Sequence, residues 1–318
     1  MRRLLAGLAA VVLAGSLAAC GTDSDKGTTE GGIDQVKVGV IPIIDVAPIY
    51  LGKEKGFFSS RKIELTMEAG QGGAAIVPGV VSDQFQFGFS NMTSLMIAQT
   101  KSVPIKAVAA GVASTGEAGK DFGAVVVKAD SAIKTAKDLA GKKISVNTLK
   151  NIGDTVTRES VRKAGGDPAT LNFVEMPFPN MPAALADGQV DAAWVVEPQL
   201  STIKAAGGRE VASTFVDAAP NLTVAAYFTS SKLQQSDPDL VARFTEAINE
   251  SLTYADSHPD EVRAVLASYT KIDEKLRATL VLPKWPTQIN EASVQRLSDL
   301  GTTDGIFTGA PDLEKLLP

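Results

Sequence analysis

Short apolar runs alternate with helical stretches from residue 36 to residue 230, and this alternation limits the fold more than any other feature. Residues 36–40 (VKVGV) form a valine-rich run, and Pro48 opens a helical stretch that closes at Lys55-Gly56. Residues 63–67 read as a second strand, followed by the loop 69–73 and a helix to about Val81. Residues 85–89 and 105–109 read as two more strands, with a helix over 93–100 between them. The pattern then repeats. Strands are expected at 144–146, 172–175, 192–195 and 210–213, and helices near 154–164, 181–187 and 199–206. Short apolar strands separated by helices predict an α/β fold of mostly parallel sheets with both faces covered.

The two sections also echo each other. Asp83-Gln84-Phe85-Gln86-Phe87-Gly88-Phe89 lines up with Gly188-Gln189-Val190-Asp191-Ala192-Ala193-Trp194, each a polar turn leading into an apolar strand. The match is short, but it falls at the same point of both sections and predicts two lobes of similar build. Residues 124–128 and 224–230 flank the second section and read as hinge strands that carry the chain out of the first lobe and back. Helices are expected over 238–255, 259–267, 274–282 and 291–300, interrupted by Pro283 and Pro286 around Trp285. Lobe one is therefore expected at 33–112 and 230–318, with lobe two at 113–229 inserted between them.

The N-terminus is of another kind. Arg2 and Arg3 precede an uncharged apolar run over 4–17, and small residues lead to Cys20, the only cysteine of the chain. A basic start, a short apolar segment and a small-residue cleavage site describe a secretory signal. The run is shorter than the roughly 20 residues a spanning helix needs. Leu17-Ala18-Ala19-Cys20 resembles the bacterial lipobox, which implies removal of residues 1–19 and acylation of Cys20. Residues 20–32 are polar and read as a lipidated flexible tether.

Acylation at Cys20 leaves no free thiol, so disulfides, thiol catalysis and cysteine metal sites drop out together. The formal charge is −5, and loss of Arg2 and Arg3 makes the mature chain more acidic. An exported acidic protein is a poor partner for nucleic acid or anionic lipid.

Specific residues then carry a family resemblance: Asp45-Val46-Ala47-Pro48-Ile49-Tyr50-Leu51-Gly52 with Gly56-Phe57-Phe58, and Val103-Pro104-Ile105-Lys106. Lys137-Asp138-Leu139-Ala140-Gly141-Lys142-Lys143-Ile144 follows, then Ala183-Ala184-Leu185, Gly188-Gln189-Val190-Asp191-Ala192 and Glu197-Pro198. The chain resembles the solute-binding proteins of ABC importers, in the branch for sulfonates, taurine, nitrate and thiamine-precursor pyrimidines. The resemblance implies a periplasmic-binding-protein-like clamp of two α/β lobes on a two-strand hinge. It also implies a monomer that meets a small-molecule ligand, an ABC permease and its ATPase, held by lipid to the outer face of a bacterial cytoplasmic membrane. No cofactor or metal is implied.

In open parallel sheets, ligands bind beyond the carboxyl ends of the strands. Those ends hold the expected ligand-binding residues. Lobe one offers Asp45, Pro48, Gln71, Gly72, Gly73, Ser90, Asn91 and Thr93, and lobe two offers Asn147, Thr148, Asn180, Trp194 and Glu197. Taken singly, most of these read as caps or turns; six converging loops read as a cleft. Trp194 and Phe89 fit either a core or a cleft wall. Asp45 and Glu197, if they face ligand, want a donor: an amine, an amidine-like ring edge or a cation. An acidic ligand group would instead be met by backbone N–H groups at 147–148 and 152–154 and by the Thr148 hydroxyl. No arginine falls in these loops, and Lys150 is the nearest cation.

Two other functions fit parts of the chain. A ligand-sensing lipoprotein would use the same clamp. An enzyme of the pyrimidine-synthesis type would need histidine and a cysteine-rich run, and the single His258 lies at a helix junction far from every cleft loop. The glycine-rich stretch 111–123 lacks the GxxxxGK[ST] spacing of a phosphate loop.

Overall fold

The computed structural model describes residues 28–29 and 32–318. Cys20, the signal segment 1–19 and most of the tether lie outside the described residues. Eleven strands are described: β1 (Thr28–Thr29), β2 (Ile33–Val40), β3 (Ile63–Ala69), β4 (Phe87–Asn91), β5 (Ile105–Ala113), β6 (Gly123–Val127), β7 (Lys143–Val146), β8 (Asn172–Glu175), β9 (Ala192–Val196), β10 (Arg209–Ala212) and β11 (Thr223–Ser230). The tether reading is corrected at its end, because β1 pairs antiparallel with β2. Such pairing needs only backbone N–H and C=O groups, so a polar segment can supply it.

The strands form two sheets with one plan. The first runs β3-β2-β4-β11-β5, with β1 on β2, and the second runs β8-β7-β9-β6-β10. In each sheet three strands pair parallel, and one interior strand is antiparallel to both neighbours: β11 in the first sheet and β6 in the second. The segments read as hinges, 124–128 and 224–230, are thus these interior strands. Each is the strand by which the chain enters the opposite sheet. The crossings themselves precede them, between β5 and β6 and between β10 and β11. They are bonded to each other through Ser114 N–H to Leu222 O (2.9 Å) and Gly119 N–H to the Ser213 hydroxyl (2.7 Å).

The sequence echo has an atomic counterpart. β4 and β9 occupy the same place in their sheets, and Gln86 and Asp191 stand just before them. Gln86 N–H donates to Lys37 O while its side chain accepts from Lys37 N–H (2.8 Å). Asp191 N–H donates to Lys143 O while its side chain accepts from Lys143 N–H (2.8 Å). Upstream, Asp83 and Gly188 both take left-handed backbone, φ 62° and 71°, a conformation open to glycine and tolerated by aspartate. The turn is the same in both lobes. Its chemistry fixes where β4 and β9 start, so the third strand begins at Phe87 rather than at Phe85.

The C-terminal helices cover the first sheet and reach helices of the second lobe. Helix Pro238–Ser257 buries Leu240, Val241, Phe244, Ala247, Ile248, Ser251, Leu252 and Ala255, one stripe at helical spacing. Phe244 stacks on Phe87 of β4 at 3.7 Å. Helix Glu291–Thr303 packs on helix Met92–Thr100 and β11 of the first lobe, and on helix Ile152–Lys163 of the second. Among the described residues, no helix is long and apolar enough to cross a membrane.

Candidate functional site

The carboxyl ends of β2, β4, β7 and β9 converge on one cleft between the sheets. Its inner cavity, about 30 Å³, is walled by Ile41, Ile43, Phe89, Ile152, Phe178, Trp194, Val196, Phe215, Val224 and Ala225, with Asp45, Asn91 and Asn147 as its polar members. A wider outer pocket of about 190 Å³ shares Ile41, Ile43 and Phe178 and adds Gln71, Pro177, Pro179 and Gln199. A third depression, of about 330 Å³ near Lys128, Pro182 and Ile203, takes residues of the second lobe alone. It is not formed by the carboxyl ends of the parallel strands, so the interlobe cleft is the candidate site.

The lobes meet across this cleft. Ile44 N–H donates to Glu197 O at 3.2 Å. The Asn151 amide donates to the Ser94 hydroxyl at 2.9 Å. A Cβ at Gly72 would lie 3.1 Å from Thr148 Oγ1 and 3.2 Å from Asn147 Nδ2, so Gly72, Asn147 and Thr148 are brought together. At the cavity's small volume the walls admit about two waters. An organic solute therefore requires the lobes to part.

Asp45 is the charged member of the inner cavity. It is 3% exposed, and its Oδ1 has no hydrogen-bond partner. Burial pushes its carboxyl up to about 7, helped by the charge of Asp121 and opposed by its own backbone N–H. Asp121 is buried in the crossing segment and accepts from Ser114, Thr115 and Phe122. Tyr227 and Tyr269 stand near Asp45, and Tyr50 lies against Tyr269. Burial raises all three, and the charge of Asp45 adds to the rise of Tyr227 and Tyr269. Tyr50 and Tyr269 stack at 4.0 Å, and the Tyr227 hydroxyl also has no partner. The Trp285 indole N–H donates to Asp45 O at 3.2 Å, fixing the turn that carries the carboxylate.

Of the other expected residues, the structure brings some to the cavity and gives the rest a different task. Trp194 is a wall; its indole N–H donates to Thr214 at 3.1 Å, and Phe178 and Phe215 flank it at 5.8 and 5.9 Å. Asn91 lines the cavity and also caps helix Met92–Thr100, accepting from Ser94 N–H at 2.9 Å. Gln71 reaches the outer pocket. Gly73 and Ser90 pack on each other instead: a Cβ at Gly73 would fall 1.9 Å from Ser90 Oγ.

Pro48 is buried in the first turn of helix Ala47–Glu54, and Thr93 is buried with its hydroxyl unpaired. Neither lines the pockets described. Asn180 is exposed and caps nothing through its side chain; its neighbour Phe178 takes the wall position. Glu197 is the clearest correction. Its carboxylate is fully buried and accepts from Ser201 N–H (2.9 Å), the Ser201 hydroxyl (2.7 Å) and Val281 N–H (3.1 Å). Burial raises it against those donors. It fastens the C-terminal segment to the second lobe and is not among the residues that line the cavity or the outer pocket. The helix start at 152–154 is likewise occupied, because Ile152 N–H already donates to Asn151 Oδ1 at 2.8 Å and Asp154 fills the first turn.

Sequence reasoning missed Phe178, Phe215, Val224 and Ala225. The rule of carboxyl ends addresses parallel strands. An antiparallel β11 brings its amino end to the same cleft, and with it Val224, Ala225 and the preceding Phe215.

His258 stacks on Tyr254 at 3.7 Å, with Nδ1 2.8 Å from Tyr254 O at the end of its helix. Among the described residues, no group of three His, Cys, Asp or Glu side chains is placed to hold a metal ion.

A Bacillus subtilis protein named as an aliphatic sulfonates-binding protein is 23% identical over 283 residues, covering 87% of this chain and 81% of its own. The alkanesulfonate-binding protein of Xanthomonas axonopodis pv. citri, solved with MOPS, shares the fold with a TM-score of 0.75 at 18% identity, covering 89% of this chain and 98% of its own. The nitrate-binding protein of Synechocystis PCC 6803 does so at 0.73 and 15%, covering 90% and 86%. The model of the NMT1/THI5 like family matches residues 43–262, and the chain belongs to that family, built on the two-lobed periplasmic-binding-protein fold.

Proposed function

We propose that this protein is an extracytoplasmic solute-binding lipoprotein that captures a small organic solute between its lobes and delivers it to an ABC importer. The observation that carries the reading is the cleft itself: both lobes contribute its walls, and all its polar groups sit at strand ends or helix starts. Relatives named for sulfonates and nitrate support the transport setting. We place the lobe boundaries at the two crossings, so that β11 belongs with residues 33–113 and the C-terminal helices. Residues 123–212 form the inserted lobe. A clamp of this kind opens about the crossings and shuts on its solute.

Binding rather than catalysis fits the cavity, whose walls offer a carboxylate and two amides but no nucleophile beside a base. The direct test is retention. Purified protein incubated with the small-molecule fraction of a cell extract should keep one solute, or a few related ones, in about equimolar amount. Conversion of a retained compound, or retention of none, would overturn the reading. Anchoring is tested separately. Cys20→Ala should abolish fatty-acid incorporation and release a folded protein from membranes, and undiminished labelling would refute the anchor.

A further inference from the structure

We propose that the cleft is built for an organic cation, a protonated amine or amidinium on a small apolar body, with Asp45 as its counter-charge. The assignment rests on the solute-binding reading above and narrows it.

Three observations carry it. Asp45 lines the inner cavity, is 3% exposed, and leaves Oδ1 without a hydrogen-bond partner. Neither the inner cavity nor the outer pocket has an arginine, lysine or histidine in its lining. The remaining walls are aliphatic or aromatic, apart from the amides of Asn91, Asn147, Gln71 and Gln199. Buried carboxylates are otherwise paired or hydrogen-bonded, because an isolated one is costly. Glu197 and Asp121 in this same chain obey that rule. Asp45 alone among the three keeps an oxygen free at the cavity, where a ligand N–H can complete it. An oxyanion in the same place would meet a like charge in a poorly hydrated cleft, with no guanidinium to offset it.

The titratable groups that interact with Asp45 are Tyr227, Tyr269 and Asp121, with Tyr50 stacked on Tyr269 behind them. The tyrosines lie above their ordinary range and stay neutral across the physiological range, so Asp45, pushed up to about 7, is the acid that titrates there; burial also raises Asp121. A cation requires ionised Asp45. Its affinity should climb as pH rises toward about 7 and level off above. The competing arrangement, a protonated Asp45 donating to an oxyanion, has the opposite pH dependence.

Benzamidine and benzenesulfonate share a ring and differ in the sign of the head group. Calorimetry with each should be run on the full-length protein from pH 5.5 to 8.5, beside Asp45→Asn. We expect benzamidine to bind, to tighten with pH, and to lose at least tenfold in the variant, with benzenesulfonate inert. Binding of benzenesulfonate in place of benzamidine, benzamidine affinity that falls with pH or is unchanged in Asp45→Asn, or failure of benzamidine to bind at millimolar concentration would each overturn the assignment. An anionic solute retained from extract would do so as well, while leaving the solute-binding reading intact. The wild-type pH profile decides the matter even if the variant folds poorly.

Discussion

An acid that is easier to ionise in the unfolded chain than in the native one costs stability as pH rises. Asp45 moves from an ordinary 3.8 to about 7 on folding. Below 3.8 both states carry the proton and Asp45 contributes nothing. Between those values the unfolded state loses its proton first, so stability falls with pH. Above about 7 the full cost is present, on the order of 4 kcal/mol. Urea denaturation of the wild type at pH 5.5 and 8 should show this loss. Asp45→Asn should remove most of it and be the more stable protein at pH 8. Parallel pH dependence in the two proteins would show that Asp45 is not buried unpaired. Asp121 and Glu197 shift in the same direction, so a residual slope is expected in the variant. Instability at this residue is compatible with function, because a bound cation would restore what burial takes away.

At the scale of elements, the strand and helix pattern was legible because apolar period and turn chemistry agree. The seven-residue echo at 83–89 and 188–194 predicted equivalent strands, and the paired roles of Gln86 and Asp191 explain why so short a match is reliable. What the sequence concealed was direction. Nothing in the apolar run 224–230 distinguishes an interior antiparallel strand from a linker, and the wall residues Phe215, Val224 and Ala225 depend on that distinction. Glu197 was misread because its carboxylate is taken up twice: locally by Ser201, four residues on in the next helix, and by Val281, 84 positions away and set by tertiary packing. Gly73 was assigned to ligand approach, and the structure gives it a packing role. Helix Gly73–Val81 sits so close to β4 that a methyl at Gly73 would overlap Ser90 Oγ. Gly73→Ala should destabilise by about 1–3 kcal/mol, and Ser90→Gly in the same chain should recover much of the loss. Additive losses in a double-mutant cycle would refute this contact.

Over the whole molecule, closure is held partly at a distance from the cleft. Helix Glu291–Thr303 packs on the first lobe, yet Arg296 donates to Glu159 Oε1 of the second at 2.8 Å. Arg162 of the second lobe donates in turn to Asp304 Oδ1 at 2.6 Å, just beyond that helix. Glu159 is nearly buried, so these pairs are screened less than surface ones. Because they span the lobes, they favour the shut form. Replacing both arginines by alanine should open the solute-free protein, seen as a larger radius of gyration in small-angle scattering. Solute affinity should fall severalfold, since a rarer closed state weakens binding in proportion. An unchanged radius of gyration would mean that the arginines stabilise the helices alone.

The proposed function requires two lobes that shut on a solute. The chain's single cysteine, Cys20, makes a distance measurement straightforward. In a Cys20→Ser protein, Glu64→Cys on β3 of the first lobe and Lys163→Cys on the second lobe place one spin label at an exposed position of each lobe. Pulsed electron–electron resonance before and after loading with the extract-derived small-molecule fraction should show a broad distance distribution that narrows and moves to one closed value. A distribution identical in both samples, with solute bound, would contradict the clamp.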